Sequence, residues 1–330
     1  MSYLLKPLDK GKLILNNRLV MPPMATSKSG KDGKVSKDIL NYYDEKSCSG
    51  YISLLIIEHS FITQHGKASE GQLSVADDSL VEGLQELSNI IHRNGSKTVM
   101  QINHAGSAAS KAVTGYGPVG PSAIENPRMG NVPKELTKKE IKDIIEEFKN
   151  AALRVKEAGF DGVEIHSAHG YLLNQFFSPL TNKRTDEYGG DVLGRIKIHL
   201  EAIKAVRDAV GDNFPILLRL GASDYSEGGS TIEDSKIAAS EFEKAGVDIL
   251  DISGGLCGFI VPGLTGQGYF SSLTEAIREV VSIPVILTGG ITDVNAAEKL
   301  LSEGKADLIG VGRAIYKDSK WAENAIKSLN

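Results

Sequence analysis

The sequence predicts an α/β protein whose strands form a (β/α)8 barrel, from three observations. Eight short runs rich in branched apolar residues recur along the 330-residue chain. Most of these runs are continuously apolar rather than alternating, which is typical of parallel strands buried on both faces. Amphipathic helical patterns separate most of the runs. A repeated order of helix end, glycine, short turn and strand is the step of an alternating α/β fold.

The predicted strands fill the chain without a linker or a change in composition. They are Leu19–Met21, Ile52–Ile57, Thr98–Ile102, Gly162–Ile165, Ile216–Leu220, Ile249–Ile252, Val285–Leu287 and Leu308–Val311. Eight strands with intervening helices favour a single-domain TIM barrel over residues 1–330. The alternative, a doubly wound sheet, usually carries GxGxxG after its first strand. Here Pro22–Thr26 follows the first strand instead.

Three helices are predicted with both ends defined. Thr137 and Glu140 form a capping-box pattern, and apolar residues then follow at helical spacing until Gly159. The other two helices run from about Leu80 to Gly95 and from Thr231, with Asp234 at the capping position, to Gly246.

Composition excludes several classes of protein. The 37 basic and 42 acidic residues give a net charge of −5, which argues against nucleic acid as a partner. The apolar runs are too short to span a bilayer, and the N-terminus has no signal-peptide pattern. The two cysteines, Cys48 and Cys257, favour a reduced cytoplasmic location and exclude a disulfide framework.

In a barrel of this type, function collects where the strands end. The ends are Pro23–Thr26, Glu58–Ser60, Gln101–His104, His166–Tyr171, Arg219–Ala222, Ser253–Gly255, Thr288–Gly290 and Gly312–Arg313. Most of the unusual polar residues of the chain fall on these ends, so we expect them to meet at one mouth.

The strand ends suggest phosphate rather than metal. His104, His166 and His169 could supply three nitrogens, but the first strand end has no histidine and HExxH is absent. Gly289 and Gly290 end the seventh strand, and Gly312 and Arg313 end the eighth, where barrels often bind phosphate. The alternative is that these glycines are ordinary turn residues.

Two long polar side chains lie inside predicted buried strands, Gln101 and Arg219. A buried arginine is costly unless it is paired or faces a ligand. Arg219 is therefore expected either to face a bound cofactor ring or to form a salt bridge, with Asp251 as the candidate partner.

Together these residues resemble the Old Yellow Enzyme family of FMN-dependent oxidoreductases, which includes NADH:flavin oxidoreductases and ene-reductases. The resemblance covers essentially the whole chain. The block HSAHGYLLNQFFSPLTNKRTDEYGG within Glu164 to Gly190 is its most specific part. The other segments are Asn17–Met21 with Pro23-Met24, Gln101–Gly106, Gly120–Ser122, Arg219 with Ser223-Asp224, Gly289-Gly290 and Gly310–Arg313.

The resemblance implies an FMN across the barrel mouth, reduced by NADPH or NADH. It implies that Gln101 binds the pyrimidine side of the ring and that Arg219 lies near N1 and O2, where a cation stabilises negative charge. The glycines and Arg313 would take the phosphate. The residues assigned to FMN in this way are Pro23, Met24, Ala25, His59 (through its backbone), Gln101, Arg219, Ser253, Gly254, Gly289, Gly290, Gly312 and Arg313.

The resemblance also implies catalytic and substrate-binding roles for His166, His169 and Tyr171. The two histidines would hydrogen-bond the oxygen of an activated alkene, such as an enone, enal or enoate, and stabilise charge that builds there. Tyr171 would protonate the α-carbon after hydride reaches the β-carbon. A tyrosine hydroxyl ordinarily keeps its proton until about pH 10. Arg184, Asp186 and Tyr188 are expected to fix the loop.

Two positions depart from the family pattern. Ala25 stands where many relatives carry Thr or Cys, so we expect a lower flavin potential than in an Ala25→Thr variant. The C-terminal segment WAENAIKSLN lacks the arginine that completes a neighbouring subunit's site in some relatives. A homo-oligomer is left open. The alternative functions are a pathway-specific dienoyl or enoate reductase and a flavin-binding electron carrier.

Overall fold

Eight parallel strands form a closed barrel in the structure, a computed structural model that describes residues 2–126 and 129–329. The strands, numbered in chain order, neighbour one another as β1-β8-β7-β6-β5-β4-β3-β2. They are Leu19–Met21, Leu54–Phe61, Lys97–Asn103, Gly162–Ser167, Ile216–Gly221, Ile249–Ser253, Val285–Thr288 and Leu308–Gly310. The predicted single-domain (β/α)8 barrel is confirmed.

The largest error in the predicted strand bounds is at β2. This strand begins at Leu54 and continues to Phe61, so Glu58–Ser60 lie within it rather than after it. Its pairing with β3 shifts register between Ile57 and Ser60. Such a shift lets a strand bend and changes the direction of its side chains. No pattern in the sequence predicted it.

Helices cover the outside of the barrel. They are α1 Lys37–Ser47, α2 Val81–Arg93, α3 Lys111–Thr114, α4 Lys138–Glu157, α5 Leu172–Phe177, α6 Val192–Val210, α7 Ile232–Ala245, α8 Ser271–Arg278, α9 Val294–Ser302, α10 Arg313–Lys317 and α11 Trp321–Ser328. Both predicted capping boxes are present, at Thr137 with Glu140 and at Thr231 with Asp234. None of the helices in the described ranges is long and apolar enough to cross a membrane.

The inside of the barrel is divided into two layers. The lower layer is apolar and includes three leucines from the N-terminal segment, Leu8, Leu13 and Leu15, which pack at the start of the strands. The backbones of Leu8 and Leu15 exchange hydrogen bonds of 2.9 Å. The strand residues of this layer are Val20, Leu54, Ile56, Val99, Leu217, Ile249, Ile286 and Leu308.

The upper layer begins two residues further along the same strands and is polar. Side chains two residues apart in a strand face the same side. Val99 is thus followed by Gln101, Leu217 by Arg219, and Ile249 by Asp251. All three polar residues are buried. This polar layer lies directly beneath the barrel mouth.

The segment after Tyr171 is held by hydrogen bonds among its own residues and the neighbouring loops. The guanidinium of Arg184 donates to both carboxylate oxygens of Asp186, at 2.9 and 2.6 Å, and to two backbone carbonyls. The Tyr188 hydroxyl donates to Glu201 at 2.8 Å. These contacts agree with the loop-fixing role expected for these three residues.

Candidate active site

A cavity of about 320 Å³ opens at the C-terminal ends of the strands. This volume lies at the low end of the range for small-molecule and cofactor sites. Its walls come from strand ends all round the barrel. The lining residues are Pro22, Pro23, Met24, Ala25, His59, Gln101, His166, His169, Tyr171, Arg219, Ser253, Phe259, Tyr269, Phe270, Thr288, Gly289, Gly290, Ile291, Gly310, Gly312 and Arg313.

One wall of the cavity is formed by His166, His169 and Tyr171. The His166 ring centroid lies 5.2 Å from that of His169 and 5.2 Å from that of Tyr171. His166 lies near the end of β4, and Tyr171 is the N-cap of α5. The three side chains therefore come from one six-residue segment between the strand and the helix. His59 joins them from β2, with its ring 5.3 Å from Tyr171.

The backbone of His169 adopts a left-handed conformation, with φ of 60°. This conformation is uncommon for a residue with a side chain and is often retained where function requires it. It aims the ring across the mouth, where Nε2 lies 2.8 Å from the Ser253 hydroxyl on β6. The His169 N–H also contacts the Gly254 carbonyl at 3.3 Å.

Burial keeps the buried histidines of this region neutral at physiological pH. It lowers the pKa of His166 well below the usual value, and the nearby His169, Arg219 and His59 lower it further. Burial, followed by the Arg219 charge, lowers the pKa of His59 to about 4. A neutral imidazole carries one N–H and one acceptor nitrogen. Within the described residues, His166 Nδ1 is buried without a hydrogen-bond partner, while the side chain as a whole lines the cavity.

The floor of the cavity is the polar layer of the barrel. Gln101 Nε2 donates to Glu164 Oε1 at 2.7 Å. Arg219 Nε lies 3.3 Å from Asp251 Oδ2. The salt bridge that was the alternative for Arg219 is therefore present, and Arg219 also lines the cavity. The two interpretations were not exclusive, because a guanidinium has five N–H donors and can serve both partners.

The opposite end of the cavity suits a phosphate. Gly289, Gly290, Gly312 and Arg313 all line it. Gly290 has φ of 70°, and a Cβ there would lie 2.5 Å from the Gly266 carbonyl oxygen, so only glycine fits. Arg313 is exposed and forms no salt bridge within the described parts of the chain. Its positive charge is thus available to an anionic group such as a phosphate. A guanidinium can bind a phosphate through two parallel hydrogen bonds.

Ala25 lines the cavity, whereas the neighbouring Thr26 does not. The Thr26 hydroxyl donates to the buried carboxyl of Glu58 at 2.6 Å. Burial raises the pKa of Glu58 to about 7, against the lowering effect of this hydrogen bond. Thr26 therefore points away from the cavity and does not replace the hydroxyl or thiol missing at position 25.

One predicted cofactor residue lies outside the cavity lining. Gly254 is not among the lining residues, and a Cβ there would lie 2.1 Å from the Gly258 carbonyl oxygen and 2.7 Å from Cys257 Sγ. Its glycine is explained by close packing rather than by cofactor contact. His104, considered as a metal ligand, accepts the Gly106 N–H at 3.0 Å and does not line the cavity.

An aromatic wall is formed by Phe259, Tyr269 and Phe270; sequence reasoning expected the segment 256–268 to shape the pocket but missed Tyr269 and Phe270. Phe259 is 57% exposed and its ring meets His169 edge-on at 5.8 Å. The signal available in the sequence was a set of aromatic residues in and directly after the glycine-rich loop that follows β6. Within the described residues, no group of three or more His, Cys, Asp or Glu is arranged to hold a metal ion.

Comparisons with known proteins agree with this geometry. Residues 3–330 match the NADH:flavin oxidoreductase / NADH oxidase family. The chain is 41% identical over 321 residues to the NADH oxidase of Thermoanaerobacter brockii, covering 96% of this chain and 49% of that protein. It is 39% identical over 319 residues to the NADPH dehydrogenase of Bacillus licheniformis, covering 96% and 91%. The old yellow enzyme homologue from Zymomonas mobilis superposes with a TM-score of 0.87 at 26% identity, covering 99% and 93%.

The fold and the site are thus those of a flavin-binding (β/α)8 barrel. The chain belongs to the NADH:flavin oxidoreductase / NADH oxidase family, the Old Yellow Enzyme family that the sequence resembled. Its cofactor is FMN, and the names of the family and its relatives support a nicotinamide nucleotide as reductant. The chain spans about half the length of the NADH oxidase and of a metal reductase that it also matches.

The residues present fit FMN by their chemistry. The cavity combines a free cation at its glycine-rich end with a buried amide and guanidinium on its floor. Gln101, Arg219 and the residues around Ala25 would hold the ring, and Gly289, Gly290, Gly312 and Arg313 would hold the phosphate.

Proposed function

We propose that residues 1–330 form one FMN-binding domain that uses NADPH or NADH to reduce the C=C bond of a small electrophilic alkene, in the cytoplasm. The observation that carries the proposal is the grouping of His166, His169 and Tyr171 on one cavity wall, with ring centroids 5.2 Å apart. An electron carrier has no need of a placed proton donor beside two imidazoles. This favours alkene reduction over simple electron transfer.

The two histidines bind and orient the substrate oxygen. FMN bound in the cavity would supply the hydride chemistry that couples oxidation of NAD(P)H to reduction of the alkene at its β-carbon. The ring of His166 lines the cavity, and Ser253 orients the ring of His169 at 2.8 Å. N–H donors at the oxygen stabilise the negative charge that develops there in the transition state.

Tyr171 holds the proton that the α-carbon needs. Its backbone is fixed, since its N–H donates to the Ala168 carbonyl at 3.2 Å and its carbonyl accepts the Gln175 N–H at 2.8 Å. The adjacent Gly170 N–H donates to Asn174 at 2.7 Å, which closes the turn. A proton donor held at a fixed place contributes about 10² to 10⁴ in rate.

The test uses the FMN-loaded protein under anaerobic conditions. After reduction by NADPH or NADH, the flavin should be reoxidised by 2-cyclohexenone and the product should be the saturated ketone. Reduction by the nucleotide without reoxidation by any enone, enal or enoate would overturn the substrate class. A charge-transfer band on adding a phenol tests whether flavin and histidines share the cavity, and it should be lost when both histidines are replaced by asparagine.

A further inference from the structure

The layer below the FMN cavity contains more carboxyl groups than cations. Glu164 and Asp251 are fully buried, and Arg219 is 4% exposed. The charge interactions of the two carboxyls within the described chain involve one cation, Arg219. If both carboxyls were ionised, the layer would carry a net charge of −1. An uncompensated charge in a region closed to water is costly, and a retained proton removes it.

Each of the two carboxyls accepts one hydrogen bond and has one oxygen without a hydrogen-bond partner among the described residues, but they differ in their charged contacts. Asp251 has a charged partner, since its Oδ2 lies 3.3 Å from Arg219 Nε, and the Thr288 hydroxyl donates to its Oδ1 at 3.3 Å. Glu164 accepts one hydrogen bond, from the neutral amide of Gln101, and its Oε2 has no partner among the described residues. An ionised carboxylate usually has several donors. Because no cation contacts Glu164 among the described residues, whereas Arg219 lies beside Asp251, the proton is assigned to Glu164.

The electrostatic surroundings agree with this assignment. Burial raises the pKa of Glu164 to about 8, the Asp251 charge raises it as well, and Arg219 and Gln101 oppose both effects. Burial also raises the pKa of Asp251, while Arg219 and Thr288 lower it. His166 and His59 face Arg219 from β4 and β2, and their lowered pKa values leave them uncharged at neutral pH.

We propose that Glu164 and Asp251 share one proton at neutral pH and that this proton is coupled to the redox state of the bound FMN. Above neutral pH, where the oxidised protein has lost this proton, two-electron reduction by NAD(P)H adds negative charge next to Arg219, and the pair takes the proton back from solvent. The proton returns to solvent when the cofactor is reoxidised. The proton thus keeps the layer neutral, with one ionised carboxyl opposite Arg219, instead of leaving a second negative charge beneath the flavin. The proposal rests on the FMN position given above.

The experiment measures the FMN midpoint potential from about pH 6 to about pH 10, a range that brackets the titration of the pair. In the natural protein the midpoint potential should fall with pH more steeply above neutral pH than below it, because one extra proton is taken up for every two electrons. Glu164→Gln keeps the layer neutral at every pH. Its potential should match the natural protein at about pH 6 and be higher at about pH 9.

A redox-difference infrared spectrum gives an independent measurement. The natural protein should show a protonated-carboxyl band that changes on reduction and moves in D₂O, and Glu164→Gln or Asp251→Asn should remove it. Asp251→Asn also leaves one carboxyl with Arg219, so it serves if Glu164→Gln does not fold. Glu58→Gln is the matched control, because it removes a buried carboxyl outside the pair and should leave the extra proton in place.

The possible outcomes separate this proposal from the one it rests on. Parallel potential curves for the natural protein and Glu164→Gln, with no infrared band that depends on Glu164, would overturn the shared proton. Failure of the natural protein to bind FMN would instead overturn the proposed function.

Discussion

The lower and upper layers of the barrel interior are built on the same strands, two residues apart, but they differ in chemistry. The lower layer is a closed apolar core that includes Leu217 and Ile249. The upper layer places Arg219 and Asp251 on those strands, with an ion pair at 3.3 Å. The lower layer gains stability from packing. The upper layer forgoes that gain to present charge and hydrogen-bond donors to a ligand.

The comparison teaches where substitutions should affect stability and where they should affect chemistry. Residues toward the C-terminal ends of barrel strands serve catalysis, and those toward the N-terminal ends serve stability. In this protein the boundary between the two lies within a two-residue step of β5 and β6.

Tyr171→Phe should have the largest effect and should act on chemistry alone. We expect the rate of alkene reduction by the reduced enzyme to fall about 10² to 10⁴-fold, because the proton donor is lost. The rate of FMN reduction by NAD(P)H should be unchanged. Rapid-mixing kinetics of the two half-reactions measure both rates. Tyr188→Phe is the control, since its hydroxyl contacts Glu201 rather than the cavity. Unchanged alkene reduction in Tyr171→Phe would contradict the proton-donor role.

Leu217→Ala should reduce stability rather than chemistry. Leu217 is fully buried in the lower layer, and removing its side chain leaves a cavity. The free energy of unfolding should fall by about 2 to 5 kcal/mol in chemical denaturation. Val132→Ala, at a position 60% exposed, should change it by less than about 0.5 kcal/mol. A loss for Leu217→Ala as small as that of the control would contradict the assignment of the lower layer.

His199 tests a buried site on α6, where its Nε2 lies 2.8 Å from the Ser167 hydroxyl. Burial lowers its pKa to about 3. The unfolded chain therefore binds a proton first as pH falls, so stability is fully present above about pH 6.5 and declines below it. The free energy of unfolding should drop by about 2 kcal/mol between about pH 6.5 and about pH 5 through this residue alone. Urea denaturation should show a correspondingly smaller decline in His199→Gln; an equal decline in both proteins would disprove the contribution.

Ala25→Thr should produce the smallest effect, at the mouth. A hydroxyl there should donate one hydrogen bond to the flavin and favour its reduced form, by about 1 kcal/mol. For two electrons this raises the potential by about 20 mV. Ala25→Val has the same shape as threonine without the hydroxyl and should not raise the potential. Redox titration compares the three proteins, and an equal or higher potential in the natural protein would refute the prediction.

The sequence by itself determined the fold and most of the site. Continuous apolar runs and capping boxes such as Thr137 with Glu140 are local signals, because strand and helix periodicity and hydrogen-bonding geometry repeat over a few residues. His166, His169, Tyr171, Gln101 and Arg219 were predicted site residues, and all of them line one cavity. They meet because the C-terminal ends of parallel strands lie at one mouth.

The tertiary structure alone decided which long-range partners these residues have. The lining by Phe259, the packing role of Gly254 and the single neutral donor on Glu164 depend on loops and strands far apart in the chain. The left-handed backbone of His169 depends on the turn that surrounds it. Local patterns cannot encode such contacts, because they arise only when barrel closure fixes the register between strands.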